Sequence, residues 1–422
     1  MTRTRYSRVA IIGGGPGGLA AAKALSLEPV DFTIDLFERG THLGGIWYYN
    51  KRSNDKFISP MYKYLETNLQ TNLMEYSNVH FKGHKSFVSR TDVYDYLCQY
   101  IETISGCNFH LNHNVTKVVK VDDTWQVTVH DLELNTTNTV TYDAVIVANG
   151  HFNKPYIPKV EGLDSWDKKS VIHSNQFIES ADYRGLNVLV VGNSSSGIDI
   201  AVQVSTTANK VYVSAREHDI TDPIFTNIGI INKYDFPTRS VTTDDGTYNG
   251  IDKVIFCTGY EYDVPFLQTY SHIVTPFQIK DLYKQVFYIY DTSLSFVCIN
   301  KNIVPMPVSE SQASVIARVY SGRIVLPEVA EMEKDYHREL SEKGEKIHIF
   351  GFPEDIEYYN QFQTILDNNP ETKVPGLLPP LWPEEKIKDR GERVTLKHNR
   401  ILQAIQFAHK LKEHGEEYRL ME

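Results

Sequence analysis

Residues 8–18 read RVAIIGGGPGG, a short apolar segment that runs directly into a glycine-rich loop and a helix-forming stretch. Residues 187–197 repeat this arrangement as NVLVVGNSSSG. Strand, glycine turn and helix in this order are typical of a Rossmann unit, in which backbone N–H groups at the helix start bind a pyrophosphate. Two such units predict an α/β chain with two Rossmann-like domains that hold two dinucleotides. The function is then narrowed to redox transfer between a flavin and a nicotinamide.

The first loop has the complete glycine spacing. Its glycines serve a tight turn, backbone approach to the pyrophosphate and close packing of helix on strand. A second predicted strand, Thr33–Phe37, ends at Glu38, where a carboxylate can accept hydrogen bonds from a ribose diol. The alternative, a βα turn without ligand, is disfavoured because the spacing and the acid occur together, so we expect FAD here. The expected contacts are Gly13, Gly15, Pro16, Gly17, Gly18 and Glu38.

The second loop carries a serine in place of the middle glycine. Serine is small enough to let the backbone approach a phosphate, although less closely than glycine. The next predicted strand, residues 211–214, is followed by Arg216, which can pair with a 2′-phosphate. We therefore expect NADPH rather than NADH, while the neighbouring Glu217 and a purely solvated role for Arg216 remain alternatives. The expected contacts are Gly192, Ser194, Ser195, Ser196, Gly197 and Arg216.

Composition limits the class of protein. The chain has 422 residues, a formal net charge of −10 and 41% hydrophobic residues, which is ordinary for a globular enzyme. It has no basic patch of the kind that binds nucleic acid, so no nucleic-acid partner is expected. No apolar run approaches the roughly 18 residues of a membrane span. The basic residues 1–5 lead straight into the first strand, so we do not expect a cleaved signal peptide.

Four cysteines are scattered along the chain without a C-x-x-C pair. Disulfide reductases with two dinucleotides need such a pair, so this class is disfavoured. Scattered thiols fit a reducing compartment and a role as small buried hydrophobic residues. The sequence around His110 and His113 lacks a third metal ligand, and we interpret these as surface strand residues with no metal.

The order of elements predicts an inserted domain. The strands that end at Ala148-Asn149-Gly150 and Cys257-Thr258-Gly259 form matched hinges. We predict an FAD domain in two parts, residues 1–151 and 261–422, with an NADPH domain at 152–260 inserted between them. We also predict a helix over 92–103, one buried strand over 142–148, and mainly helical sequence from Ser309 onward.

The motifs together resemble the flavin-containing monooxygenases, and most closely the short fungal, thiol-oxidising members. Besides the two loops, they comprise residues 44–47 (GGIW), 65–68 (LETN), 148–151 (ANGH), 257–260 (CTGY) and 304–313 (VPMPVSESQA). The family's identifying sequence is incomplete here, because Asp167 and Lys169 replace its Phe and Gly while His173 and Phe177 remain. His173 is interpreted as a structural linker residue rather than a catalytic one. The resemblance implies further cofactor contacts at Arg39, Gly45, Ile46, Trp47, Asn68, Gly150, Thr258, Gly259 and Gln312.

The resemblance also implies a mechanism. NADPH reduces FAD, O2 adds to give a C(4a)-hydroperoxyflavin shielded by NADP+, and a soft nucleophile takes one oxygen atom. The cofactor carries the chemistry while the protein orients it and excludes water. Asn68 matches the asparagine that the family places over the flavin, so it is the expected catalytic side chain; a loop-turn role is the alternative. Glu310 and Gln312 are expected to support the flavin.

We therefore predict an FAD- and NADPH-dependent monooxygenase of small thiols and sulfides, with amines less favoured. The alternatives are a Baeyer–Villiger or N-hydroxylating monooxygenase, separated by which substrate accelerates NADPH loss, and a non-catalytic FAD/NADPH-binding sensor, separated by a search for the hydroperoxyflavin. The expected partners are O2 and a small nucleophile. A cytoplasmic location is expected, with peripheral association at the endoplasmic reticulum and a homodimer left open.

Overall fold

The computed structural model describes residues 6–51, 53, 56–83 and 86–421, so the basic residues 1–5 lie outside the described part. Its α-helices are α1 (Pro16–Ser26), α2 (Arg90–Ile101), α3 (Ser195–Ser205), α4 (Pro305–Tyr320), α5 (Val329–Lys343), α6 (Glu354–Asp367) and α7 (Glu384–Glu413). Short 3₁₀ stretches lie at Gly45–Trp47, Thr71–Leu73, Leu163–Ser165, Ser174–Gln176, Ser180–Tyr183, Gln268–Ile273, Gly344–Lys346 and Pro370–Thr372.

Strands occur in both halves of the chain. In order they are β1 (Arg8–Ile12), β2 (Thr33–Phe37), β3 (Cys107–His110), β4 (His113–Val121), β5 (Thr124–Asp131), β6 (Thr136–Tyr142), β7 (Ala144–Val147), β8 (Lys154–Pro155), β9 (Val171–His173), β10 (Asn187–Val191), β11 (Lys210–Ser214), β12 (Thr226–Ile228), β13 (Ile231–Asp235), β14 (Ser240–Thr243), β15 (Gly246–Tyr248), β16 (Lys253–Phe256), β17 (Tyr260–Glu261), β18 (Leu282–Tyr283), β19 (Phe287–Tyr288) and β20 (Leu294–Phe296).

The chain divides into two compact units. The first unit comprises Met1–Ile58, Leu69–Lys154 and Glu261–Glu392, and the second comprises Ser59–Asn68, Pro155–Tyr260 and Arg393–Glu422.

The first unit is built on a seven-stranded sheet in the order β18-β19-β20-β7-β1-β2-β3. The strands from β20 to β3 run parallel, with Val9 paired to Ile34 on one side and Ala144 on the other. α1 packs against this sheet and against α4. A three-stranded antiparallel sheet, β4-β5-β6, covers a second core that contains the fully buried Trp125. The carboxyl ends of β1 and β7, where ligands bind in such sheets, therefore lie side by side.

The second unit has its own parallel sheet, in the order β12-β11-β10-β16-β9. α3 packs against β10 and β11, and the antiparallel strands β13-β14-β15 form a separate small sheet. One core of this unit collects residues from all its parts, including Tyr62, Phe177, Ile405 and Ala408. The chain thus forms an α/β fold in which each glycine loop connects a central parallel strand to a helix.

The compact units differ from the predicted domain limits. Residues 59–68 and 393–422 belong to the second unit, although the prediction assigned both to the FAD domain. The physical reason is a set of contacts between distant segments, since Arg400 forms a bidentate ion pair with Glu66 at 2.6 and 2.9 Å. The carbonyl of Thr67 also accepts a hydrogen bond from the Lys397 ammonium at 2.9 Å.

Two element predictions need correction. The strand predicted over 142–148 is divided into β6 and β7, because the Asp143 carboxylate accepts bonds from the backbone N–H groups of Ser7 and Arg8, each at 2.8 Å. The chain turns there from the antiparallel into the parallel sheet. The helix predicted over 92–103 begins at Arg90, since Ser89 and Asp92 form a reciprocal capping box.

Candidate functional site

Close packing between strand and helix fixes the first glycine loop. A Cβ atom on Gly18 would lie 1.9 Å from the carbonyl oxygen of Gly13, and one on Gly13 would lie 2.3 Å from the carbonyl oxygen of Ala148. No side chain fits at either distance, so glycine is required at both positions. A Cβ on Gly17 would sit 3.2 Å from side-chain atoms of Val297 and Cys298.

The middle of this loop has more room. Gly15 caps α1 with φ −80° and ψ −175°, an extended conformation open to any residue, and Pro16 follows at the first helical position. A Cβ on Gly15 would meet only the Cα of Gly45, at 3.6 Å. The N-terminus of α1 therefore meets open space at the place where a pyrophosphate fits.

Glu38 follows β2, as predicted, and its carboxylate binds backbone of the same region. One oxygen accepts from the N–H of Gly14 and the other from the N–H of Gly40, both at 2.7 Å. Arg39 donates to Asn153 Oδ1 at 2.6 Å and lies 4.4 Å from the Phe57 ring centre. The expected ribose contact of Glu38 and the cofactor contact of Arg39 stay predictions.

The Gly44–Trp47 segment packs on the loop. The N–H of Gly44 donates to the carbonyl of Gly14 at 2.8 Å, and the approach of Gly45 to Gly15 excludes a side chain at Gly45. Ile46 and Trp47 are half-buried beside it. Gly150, beyond the end of β7, is exposed, and a Cβ added there would meet no atom within 4 Å.

The side chain of Gln312 is buried and forms hydrogen bonds with other protein groups. It is fully buried on α4, and its amide NH2 donates to Asn300 Oδ1 and to the Tyr358 hydroxyl. Its amide oxygen accepts from the N–H of Cys298 at 2.8 Å. Both amide hydrogens have protein acceptors, so Gln312 orders the Cys298 turn beneath the first loop, while its expected cofactor contact stays a prediction.

Glu310 is likewise internal. Its carboxylate accepts bonds from the N–H and hydroxyl of Ser77 and from the Tyr100 hydroxyl. Burial raises the pKa of Glu310 to about 7, against the lowering effect of these donors. Its role is to join α4 to α2, which supports the loop only indirectly.

His151 is a residue that the sequence reasoning did not select. It follows Gly150, is 8% exposed, and its Nδ1 has no hydrogen-bond partner among the described residues. Burial lowers its pKa to about 3, which keeps the ring neutral. An orphaned buried polar atom at the carboxyl end of β7 fits a ligand that would supply its partner. The ANGH motif contained this histidine, but nothing in its spacing indicated burial.

The second glycine loop has the same packing as the first. A Cβ on Gly197 would lie 1.9 Å from the carbonyl oxygen of Gly192, and one on Gly192 would lie 2.7 Å from the carbonyl oxygen of Cys257. Ser194 caps α3 with φ −68° and ψ −174°, and its side chain makes no capping bond. Ser194, Ser195 and Ser196 are all exposed at the start of the helix.

The other residues expected near this loop are spread around it. Arg216 is exposed two positions beyond β11, and Asn193 donates to the carbonyl of the adjacent Glu217 at 2.6 Å. The Thr258 hydroxyl donates to the Tyr156 carbonyl, and the Gly259 carbonyl pairs with His173 Nε2 at 3.0 Å. The geometry supports the structural interpretation of His173, which is 2% exposed.

A cavity of about 220 Å³ lies beside the second loop, within the second unit. Its lining residues are Asn193, Ser194, Ser195, Ile198, Val213, His218, Asp219, Ile220, Asn227, Arg393, Val394, Lys397, His398 and Ile401. Arg216 is absent from this set. The cavity combines a helix N-terminus, cations and apolar side chains. Nucleotide-binding sites commonly have such a lining.

Asn68 is held by its backbone. Its carbonyl accepts from Arg393 Nε at 3.1 Å, next to the bond from Lys397 to Thr67. Within the described part of the chain, the half-buried Asn68 side chain makes no hydrogen bond. Burial lowers the pKa of Lys397, although Asp199 and Glu66 raise it. The amide of Asn68 is therefore available to a ligand, while its catalytic role stays a prediction.

Thiols and histidines form no metal centre in the described residues. His110 pairs with the buried Asp35 at 2.9 Å, so it is a half-buried structural residue rather than a simple surface one. Burial raises the pKa of Cys107 to about 12 and also raises the pKa of Cys257 and Cys298.

Across the described ranges, no helix has both the length and the apolar character to cross a membrane.

The comparisons define the class of protein. The profile of the flavin-binding monooxygenase-like family matches residues 6–222 and 228–372, which include both glycine loops. The chain belongs to this family, so it is a flavin monooxygenase, and the resemblance drawn from its motifs is confirmed.

Individual relatives differ in the substrates that their names give. The chain is 32% identical to the thiol-specific monooxygenase of Saccharomyces cerevisiae over 98% of this chain and 97% of that protein. It is 31% identical to senecionine N-oxygenase of Tyria jacobaeae over 89% and 84%. Among solved structures, S-allyl-L-cysteine S-oxygenase from Allium sativum superposes with a TM-score of 0.81 at 26% identity, covering 98% of this chain and all of that one.

Proposed function

We propose that this chain is an FAD- and NADPH-dependent monooxygenase that oxygenates small thiols and sulfides. The observation that carries the proposal is the pair of glycine loops, each in a parallel sheet of its own, in which a Cβ added to the third glycine would lie 1.9 Å from the carbonyl oxygen of the first. Two pyrophosphate sites in a flavin monooxygenase call for two dinucleotides.

The proposed flavin site lies in the first unit. The N–H groups at the start of α1, with Gly15 and Pro16, would bind the pyrophosphate, and Glu38 would accept from the ribose diol while it orders Gly14 and Gly40. The neutral His151 ring offers a buried nitrogen to the same ligand. When bound, the flavin supplies the activation of O2 and the nicotinamide supplies the electrons.

The second unit is the proposed NADPH site, and we propose that its central part is inserted into the flavin domain. The start of α3 would bind the pyrophosphate, and Arg216 would pair with the 2′-phosphate. Asn68 would donate its amide to the reacting oxygen or the nicotinamide carboxamide, because a neutral donor stabilises developing charge without giving a proton to the nucleophile.

The substrate class rests on relatives. Two named relatives act on sulfur, the yeast thiol-specific monooxygenase and the garlic S-oxygenase, and the former spans nearly the whole of both chains. Amine oxygenation is the second candidate, because the name of the Tyria jacobaeae relative is that of an N-oxygenase. The cytoplasmic location, peripheral membrane association and homodimer remain predictions.

The test is a substrate screen with product identification. Purified, flavin-loaded protein is given NADPH with cysteamine, glutathione, N,N-dimethylaniline or cyclohexanone, while NADPH loss, O2 uptake and product are followed. We expect the thiols to accelerate NADPH loss with matching amounts of oxidised thiol product. Lactone from cyclohexanone would instead indicate Baeyer–Villiger chemistry, and cofactor binding without any product would indicate a sensor.

A further inference from the structure

The cavity beside the second glycine loop has a wall that the loop motif does not contain. Residues 193–198 supply one part of the lining and residues 213–227 another, but the third part is α7, nearly 200 residues further along the chain. Arg393, Lys397 and His398 lie on this α7 wall. The motif-based expectation, in contrast, assigned phosphate recognition to Arg216, which does not line the cavity.

The chemistry of the lining suits an anion attached to an apolar ring. Ser194 and Ser195 stand at the N-terminus of α3, which attracts negative charge. Arg393 and Lys397 contribute two positive charges to the lining and Asp219 one negative charge, while Glu66, outside the lining, lies 3.9 Å from Lys397 and is shared with Arg400. Apolar side chains, among them Ile198 and Ile401, line the same space. About 220 Å³ is less than a whole dinucleotide needs, so the cavity fits one end of it.

The two α7 cations are held in place. Arg393 Nε donates to the carbonyl of Asn68 at 3.1 Å, and Lys397 Nζ donates to the carbonyl of Thr67 at 2.9 Å. Lys397 also lies 3.9 Å from the Glu66 carboxylate, which holds its ammonium on the same side of α7. The neighbouring Arg400 is bound to Glu66 and is not part of the lining. The cations are thereby oriented before a ligand arrives, which lowers the entropy cost of binding.

We propose that Arg393 and Lys397 of α7 bind a phosphate group at the adenosine end of the nicotinamide dinucleotide, together with the backbone N–H groups at the start of α3. This inference rests on the proposed NADPH site and adds residues to it that the Rossmann fingerprint does not contain. It also makes α7 a shared support, because the same two side chains hold the backbone of Thr67 and Asn68.

The experiment measures binding of NADP+ and of adenosine 2′,5′-bisphosphate to the flavin-loaded, full-length protein by calorimetry at two salt concentrations. The variants are Arg393→Gln and Lys397→Met, with Lys410→Met as the matched control, because Lys410 is an exposed cation on the same helix outside the cavity. We expect Kd to rise about tenfold or more for both ligands in each cavity variant and to depend less on salt. Lys410→Met should bind as the wild type does.

The outcomes separate this inference from the proposed function. If the cavity variants bind both ligands with wild-type Kd while Arg216→Ala weakens them, the α7 site is wrong and the NADPH site stands. If wild-type protein retains FAD but binds neither ligand, the proposed NADPH site itself fails. Should Lys397→Met not fold, Arg393→Gln decides the question, with Arg393→Lys expected to restore part of the affinity because it keeps the charge.

Discussion

The two glycine loops have the same backbone conformation but differ in their side chains. Gly15 and Ser194 occupy equivalent capping positions with nearly the same dihedral angles, φ −80° and ψ −175° against φ −68° and ψ −174°. Gly18 and Gly197 approach the first glycine of their loops equally, at 1.9 Å for an added Cβ. The third glycine is therefore required by packing in both units, whereas packing does not require glycine at the middle position.

The charged residues near the two loops differ more than the loop conformations do. In the first unit a carboxylate, Glu38, binds the loop backbone through Gly14 and Gly40. In the second unit Arg216 follows the equivalent strand, and the adjacent cavity has cations in its wall. A carboxylate suits a ribose diol and a cation suits a phosphate, so we expect the residues around the two loops to select different nucleotides.

The largest expected effect tests the shared packing. Gly18→Ala and Gly197→Ala each place a Cβ on a carbonyl oxygen, which we expect to cost about 3 kcal/mol or more of unfolding free energy. Thermal unfolding should show a Tm lower by roughly 3 °C or more for both variants, given about 2.1 cal/mol/K of unfolding entropy per residue. Gly351→Ala is the control, because a Cβ there meets no atom within 4 Å. Wild-type melting of either loop variant would contradict the equivalence of the loops.

Gly15→Val tests the ligand at the middle position. The extended dihedral angles of Gly15 accept valine, but its side chain would occupy the space in front of α1. We expect a folded protein that has lost FAD, measured by flavin absorbance and circular dichroism after purification. Full flavin occupancy in this variant would show that the pyrophosphate does not approach Gly15.

Asn68→Ala should separate reduction of the flavin from oxygenation of the substrate. FAD retention and reduction by NADPH should persist, because the Asn68 carbonyl that binds Arg393 is unchanged. Oxygenated product should fall by about 10²–10³, with hydrogen peroxide formed in its place, since one oriented donor is lost. The measurement is product and peroxide per NADPH consumed. A wild-type ratio and turnover would make Asn68 a loop-turn residue.

Arg216→Ala tests the charge difference directly. Loss of one charge-assisted phosphate contact costs about 1.5–3 kcal/mol, or one to two decades in affinity. The Michaelis constant for NADPH should rise while that for NADH stays nearly constant. An equal rise for both coenzymes would mean that Arg216 does not read the 2′-phosphate.

Ser194→Gly is expected to have the smallest effect. Ser194 is exposed and makes no capping bond, so its removal should change stability by less than about 0.5 kcal/mol. NADP+ affinity should change less than it does in Arg216→Ala. A loss of affinity as large as that one would identify the Ser194 hydroxyl as a direct phosphate ligand.

Local patterns predicted the parts of this molecule that local sequence determines. The glycine loops, β1, β2 and β10 lie where apolar runs and glycine spacing placed them, because strand, turn and helix follow one another within a few residues. The association of α7 with residues 59–68 was not predictable in this way. It depends on pairs such as Glu66 and Arg400, which are 334 residues apart and carry no signal in either segment alone.

In the candidate site, too, local sequence indicates some residues, while contacts between distant segments determine others. Gln312 was selected from a motif, but its hydrogen bonds to Asn300, Tyr358 and Cys298 could not be read from that motif. His151 was overlooked, because burial arises from tertiary packing and leaves no trace in spacing. Sequence identifies the residues that form a loop, while the structure identifies the residues that support it.

The raised pKa values of Cys107, Cys257 and Cys298 have a consequence for oxidation of the protein itself. The proposed thiol monooxygenase would expose its own sulfur to any peroxide that it releases, and the thiolate is the form that reacts. With its pKa raised to about 12, Cys107 is a thiolate in only roughly 10⁻⁵ of molecules at pH 7. The pKa values of Cys257 and Cys298 are also raised, although Cys298 lies beside the first glycine loop. The low thiolate fraction slows the oxidation of these three cysteines by peroxide.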